Sequence, residues 1–181
     1  MEGLYVTARV GERLKKYIVD SYQSDIIPME RNMALISLIK PHLELTADEE
    51  DPLDEETVLK EVVRIEIPLG NTKVYSRSAR KVYVCNTLWR NRLGKKGQDE
   101  VRKFFDRAFR QQFRTYMDGF IESQEMFGKD GRKYNKVKEG VTAFLIQYHI
   151  DFTERDIAAL ARDWYRHRDK TEQNQASPLV Y

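Results

Sequence analysis

Four cationic side chains recur along the longest periodic segment of the sequence, and their spacing limits the chemistry open to them. They are Lys103, Arg107, Arg110 and Arg114, separated by 4, 3 and 4 residues, which places them on one face of a helix. Like charges at these separations repel mildly, and phosphate backbones are the usual reason to tolerate them. The pattern predicts a face that binds nucleic-acid phosphates. The alternative is that these four cations are only solvated, or that the acidic segment 48–56 neutralises them.

A second group of cations lies near the end of the chain, after a short turn. Those predicted to contact phosphates are Arg155, Arg162, Arg166 and Arg168. Two helices joined by the turn 150–152 resemble a helix-turn-helix in outline. A recognition helix reads bases with polar side chains at its N-terminal end, where this segment carries Glu154 and Asp156. The pattern therefore favours phosphate contact, or stabilisation of a helix C-terminus, over base reading.

The sequence carries no recognisable motif for catalysis or metal binding. His42, His149 and His167 are far apart, and none has a metal-ligating residue four positions on. The carboxylates of segment 48–56 lack the glycine and the alternating ligands of a calcium loop. Cys85 is the only cysteine and has no activating neighbour in the sequence. We therefore expect a protein that is not an enzyme and takes no cofactor. An enzymatic alternative would require scattered carboxylates to converge in a cleft.

The elements that position these side chains fall into a strand-containing first half and a helical second half. Alternation and turn residues predict strands over 4–10, 63–67, 72–76 and 81–85. Periodicity and capping signals predict helices over 12–22, 31–40, 86–93, 97–121, 136–149 and 154–170, with a strand as the alternative for 31–40. Thr153 is the expected N-cap of the last helix, with Asp156 as its partner. The fold class predicted is α+β, a small mainly antiparallel sheet in the N-terminal half packed with a predominantly helical C-terminal half.

The same pattern predicts how the chain is organised. Residues 1–122 are expected to form an α+β core domain that contains an acidic linker over 44–57. Residues 136–170 are expected to form a C-terminal helix pair packed on that core. The segment 123–135 reads as a loop, and 171–181 as a flexible tail.

Charge and hydropathy narrow the range of partners. Residues 1–70 carry 8 Lys or Arg and 15 Asp or Glu, whereas residues 71–181 carry 23 and 14. Such separation of sign often reflects an anionic partner for the basic part, and attraction between the two halves is the alternative. No stretch approaches the ~20 apolar residues of a membrane helix, and the N-terminus does not resemble a signal peptide. We expect a cytoplasmic protein that does not associate with membranes.

The order of several features resembles small proteins of unassigned function encoded by phages and mobile elements of gut bacteria. The features are the strand 4–10, the segments 39–43 and 86–90, the Phe-rich helix opening at Gly97-Gln98, and the helix pair 144–164. The resemblance implies a bacterial cytoplasmic or virion context and brings no site residues with it. Two hypotheses follow. The first is a non-catalytic accessory protein that binds nucleic acid through a basic helical face. The second is an oligomeric structural or assembly protein. In that case the acidic segment 48–56 of one copy contacts the basic helix face 103–114 of another copy, or the protein binds other phage proteins.

Overall fold

A computed structural model describes residues 4–28, 30, 32–44, 55–67, 71–76, 81–86, 92–126 and 133–176. The chain divides into two compact units, residues 1–107 and residues 108–181. A small mixed sheet lies in the first unit and helices make up the described part of the second, which confirms the α+β prediction. Within the described ranges, no helix combines the length and the apolar character needed to cross a lipid bilayer.

The first unit contains the strands and the shorter helices. The strands are β1 (Leu4–Arg9), β2 (Ile26–Ile27), β3 (Leu43–Glu44), β4 (Val62–Ile67), β5 (Asn71–Ser76), β6 (Lys81–Asn86) and β7 (Arg92–Leu93). The helices are α1 (Glu12–Tyr22), α2 (Met33–Ile39), α3 (Glu55–Glu61) and the beginning of α4 (Lys95–Met126). The second unit contains the rest of α4, α5 (Lys133–Gln147) and α6 (Glu154–Ala176).

The described strands pair in three sets. The largest is a three-stranded sheet in the order β1-β4-β2, in which β1 is antiparallel and β2 parallel to β4. Val6, Val63 and Ile65 are fully buried on it, because alternate side chains of a strand share one face. Strand β5 pairs with β6 in the antiparallel sense, and the short strands β3 and β7 pair separately. Strands β5 and β6 therefore form a two-stranded sheet of their own.

The structure differs from the predicted elements at several boundaries. The helix predicted over 86–93 has both of its ends in strands, since Asn86 ends β6 and Leu93 lies in β7; residues 87–91 lie outside the described part of the chain. Leu93 is buried and pairs with Leu43, a long-range contact that overrides the local helical signal. Helix α4 continues through Met126, α5 begins at Lys133 and α6 continues through Ala176, so parts of the predicted loop and tail are helical.

In the second unit, three helices bury an aromatic core. The Phe144 ring of α5 packs edge-on against Phe109 and Phe113 of α4, with ring centroids 5.6 and 5.2 Å away. Gly140 permits close approach of the helices, because a Cβ there would lie 2.8 Å from Cδ1 of Phe120. The second half of α4 thus belongs with α5 and α6. The boundary between the two units accordingly lies inside α4, before residue 108.

Local hydrogen bonds define the turn between α5 and α6. His149 has a φ of 51°, and its N–H donates to the Ile146 carbonyl while that of Ile150 donates to the Leu145 carbonyl. This is a Schellman motif with histidine in the left-handed position that glycine usually occupies. The next helix then begins with the predicted cap. Asp156 Oδ2 accepts from the Thr153 N–H at 2.8 Å and from its hydroxyl at 2.7 Å.

Candidate nucleic-acid interface

Helix α6 carries a row of exposed cations opposite its buried stripe. The buried residues are Ile157, Leu160, Ala161 and Trp164, spaced as one helix face. Exposed cations occupy the opposite side, and we call them the α6 cation face: Arg155, Arg162, Arg166 and Lys170. A rise of 1.5 Å per residue gives this row a length of roughly 22 Å. The packing of the apolar stripe thus holds four cations toward solvent along one line.

Two arginines of α4 meet a single carboxylate of α6. Arg114 Nη2 lies 3.0 Å from Oδ2 and 3.2 Å from Oδ1 of Asp163, and its Nε also donates to Oδ2, at 3.2 Å. Arg110 Nη1 donates to Oδ1 at 3.1 Å. We call these three residues the arginine fork. Because Asp163 lies between Arg162 and Arg166 in sequence, the fork adjoins the α6 cation face.

The three side chains of the arginine fork are exposed to solvent to different extents. The side chain of Asp163 is 22% exposed, that of Arg114 29% and that of Arg110 45%. Charge-assisted hydrogen bonds to both carboxylate oxygens fix a guanidinium in orientation as well as in position. Arg114 is therefore held at the base of the fork, and Arg110 is its more accessible arm.

The other two members of the predicted α4 stripe belong to the first unit. Lys103 Nζ donates to Glu100 Oε1 at 3.0 Å, and Arg107 is exposed. The hydrogen bond from Lys103 lowers the pKa of Glu100, and the charges of Lys103, Arg107 and His42 act in the same direction. The structure thus brings Arg110 and Arg114 together at one carboxylate and pairs Lys103 with another.

Arg162 and Arg168, both predicted contact residues on α6, engage groups of their own helix. Arg168 lies over the rings of Trp164 and Tyr165, with its guanidinium carbon 5.0 and 5.4 Å from their centroids. This cation–π geometry orients the side chain along the helix and accounts for its partial burial. Arg162 is exposed and its Nε donates to the Ala158 carbonyl at 3.2 Å. Arg168 is therefore the most constrained of the predicted cations on α6.

The acidic N-terminal end of α6 is engaged locally. Asp156 takes part in the Thr153 cap, and Glu154 accepts a hydrogen bond from Lys138 of α5 at 3.0 Å. These carboxylates lie where a recognition helix would present its base-reading side chains. Both carboxylates thus have partners within the second unit.

Asp163 is the functional candidate that the sequence did not reveal. The neutralising segment proposed from the sequence, 48–56, lies outside the described residues except for Glu55 and Glu56, and Glu56 pairs with Lys60. Within the described part of the chain, Arg110 and Arg114 both pair with Asp163, an acid within the basic run 162–168. In the sequence, Asp163 is marked only as the acid that directly precedes Trp164. Its partners depend on how α4 and α6 pack, which the sequence does not reveal.

Among the described residues, no three His, Cys, Asp or Glu side chains come together as a set of metal ligands. His149 lies at the left-handed position of the turn that follows α5. The side chain of Cys85 lies outside the described part of the structure.

Comparison with known proteins gives no family for this chain. No protein-family model matches it, and neither a curated protein nor a solved structure does. A function must therefore be inferred from the geometry of the α6 cation face and the arginine fork.

Proposed function

We propose that this chain is a non-catalytic protein that binds nucleic acid by contacting phosphates through the α6 cation face. The observation that carries the proposal is the position of Arg155, Arg162 and Arg166, which lie on α6 opposite its buried stripe and are exposed. Rows of arginines that follow a phosphate backbone supply affinity without reading sequence. The binding expected is therefore salt-dependent and largely indifferent to base composition.

The charge around this face supports the same proposal. Arg110 lies beside the row with its side chain about half exposed, and the carboxylates of α6 that flank the row are Glu154, Asp156, Asp163 and Asp169. Asp163 already accepts hydrogen bonds from two arginines, which leaves the arginine fork with a net positive charge. Over residues 154–171, the exposed cations of α6 outnumber its exposed carboxylates, and a polyanion approaching this side would meet that excess; the cations are Arg155, Arg162, Arg166 and Lys170, and the carboxylates are Glu154 and Asp169.

Such a protein would serve as an accessory protein of a phage or mobile element, in line with the resemblance to small phage and mobile-element proteins of unassigned function, and would act in the cytoplasm of a bacterial host. The oligomeric assembly hypothesis makes an opposite prediction for the same sample. It expects a salt-sensitive change in mass and negligible affinity for nucleic acid.

The test is fluorescence anisotropy with a labelled duplex of about 20 base pairs, combined with light scattering of the same preparation. Reversing Arg155, Arg162 and Arg166 to Glu should weaken binding about 100-fold at low salt, since three attractive phosphate contacts become repulsive. The matched control reverses Lys95, Lys96 and Arg102, three exposed cations of the first unit. This control changes the net charge equally and should retain most of the affinity. Circular dichroism verifies that both variants fold.

Three results would reject the proposal. The wild type could fail to bind duplex at low salt, or the α6 variant could bind as tightly as the wild type. The two triple variants could also weaken binding equally, which would assign binding to net charge rather than to α6. Absence of binding together with salt-sensitive self-association would favour the assembly hypothesis.

A further inference from the structure

We infer that Asp163 is a positioning residue, which holds Arg110 and Arg114 in place for a phosphate despite carrying the same sign of charge as that phosphate. This inference rests on the proposed function and assigns Asp163 a role within the same site. It also assigns the arginine fork as a phosphate-binding group at the edge of the α6 cation face.

The geometry of the fork supports positioning. Asp163 accepts from Arg114 through both oxygens, at 3.0 and 3.2 Å, and from Arg110 through Oδ1 at 3.1 Å. One carboxylate thus orients two guanidinium groups that start from neighbouring turns of α4. Long side chains lose several rotatable bonds on binding, and a group that is already oriented loses less freedom.

The guanidinium group has the chemistry to serve two acceptors. It carries five N–H donors in one plane, so a hydrogen bond to a carboxylate is compatible with another to a phosphate oxygen. Arg110 has the more exposed side chain of the two arginines, at 45%, and adjoins the row formed by Arg162 and Arg166. The expected role of Arg110 is therefore direct contact, and that of Arg114 is to complete the support.

Positioning and simple electrostatics predict opposite signs for the same substitution. Asp163→Asn removes one negative charge, so electrostatics alone would tighten binding to a polyanion. If Asp163 positions the two arginines, the same change removes the charge and one of the two acceptor oxygens that hold them, and it weakens binding on the order of tenfold, the effect expected for one charge-assisted hydrogen bond. The slope of log Kobs against log salt should also become shallower by about 0.9, since one phosphate fewer is neutralised.

The experiment measures duplex affinity and salt slope for the wild type, Asp163→Asn, Asp163→Glu and Asp169→Asn. Asp169 is an exposed carboxylate of the same helix, so Asp169→Asn makes the same change in charge and should tighten binding slightly. Asp163→Glu keeps the carboxylate and should restore most of the affinity and the wild-type slope. A second test, Arg114→Lys, conserves charge but removes bidentate bonding, and should also weaken binding.

The results separate this inference from the proposed function. If the wild type binds duplex but Asp163→Asn tightens binding as Asp169→Asn does, Asp163 is not a positioning residue and the proposed function stands. Unchanged affinity in Arg114→Lys would overturn the inference in the same way, even if Asp163→Asn failed to fold. If the wild type does not bind duplex at low salt, both the inference and the proposed function fail.

Discussion

The indole N–H of Trp164 donates a hydrogen bond to Asp118 Oδ1 at a distance of 2.8 Å. Trp164 is 1% exposed, so this bond satisfies the one polar group of a ring in the centre of the second unit. It also ties α6 to α4 next to the arginine fork, because Trp164 directly follows Asp163. The apolar core and the candidate interface therefore share one helix–helix contact.

The hydrogen bond between Trp164 and Asp118 predicts a decrease in stability when the acceptor is removed. Asp118→Ala leaves a buried N–H without this acceptor and should lower the unfolding free energy by about 1–3 kcal/mol. Asp118→Asn keeps a carbonyl oxygen at the same position and should be less destabilising. Urea denaturation followed by tryptophan fluorescence measures both variants. Equal destabilisation in the two would show that the acceptor oxygen is not what matters.

Two glycines of the second unit should respond in opposite ways to the same substitution. A Cβ at Gly140 would lie 2.8 Å from Cδ1 of Phe120 and 3.0 Å from Sδ of Met117, whereas a Cβ at Gly119 meets nothing within 4 Å. Gly119→Ala should stabilise by about 0.5–1 kcal/mol through helix propensity. Gly140→Ala gains the same propensity, but overpacking typically costs about 1–3 kcal/mol, so net destabilisation is expected.

Thermal or urea unfolding of the two glycine variants checks this pair of predictions. They share one chemical change and one type of secondary structure, so each is the control for the other. A gain of stability in Gly140→Ala comparable to that in Gly119→Ala would contradict the close packing described for α5 and α4.

The pair formed by Glu100 and Lys103 predicts a pH dependence. The hydrogen bond from Lys103 lowers the pKa of Glu100 in the folded state. A lowered carboxyl pKa contributes stability that is fully present above the unfolded value, near pH 4.3, and is lost as the pH falls through the folded value. Lys103→Met removes the first cause of the shift and should raise the Glu100 pKa toward its usual range. Carbon-detected NMR titration of the Glu100 carboxyl measures the change, and an identical titration in both proteins would contradict the pairing.

Capping residues and hydrophobic periodicity predicted the helices and strands whose formation depends on residues close together in the sequence. Helix α1 has its predicted bounds, Glu12–Tyr22, and α6 begins at the predicted residue behind the Thr153 cap. Hydrophobic periodicity and capping are contained within one segment, which is why they are readable without a fold. The same holds for β1 and β4, whose alternation marks one buried face.

Features that depend on distant partners were not predictable in the same way. Strands β2, β3 and β7 are two residues long, too short for any periodic pattern, and form by pairing with strands far away in sequence. The arginine fork likewise requires Asp163 of α6 to meet α4 where the two helices pack. The cations on α4 and α6 were visible from their spacing. Which of them are exposed, and which are held by a carboxylate, depends on packing.

The central claim is that the α6 cation face contacts phosphates, and the salt dependence of duplex binding tests it most directly. Log Kobs of the wild type should fall linearly with log salt. Neutralising Arg155, Arg162 and Arg166 to Gln should make the slope shallower by about 2.7, since each phosphate that is no longer neutralised contributes about 0.9. Gln keeps a long polar side chain with good helix propensity, so the change isolates charge. An unchanged slope in the folded variant, or a wild type whose affinity does not depend on salt, would contradict this claim.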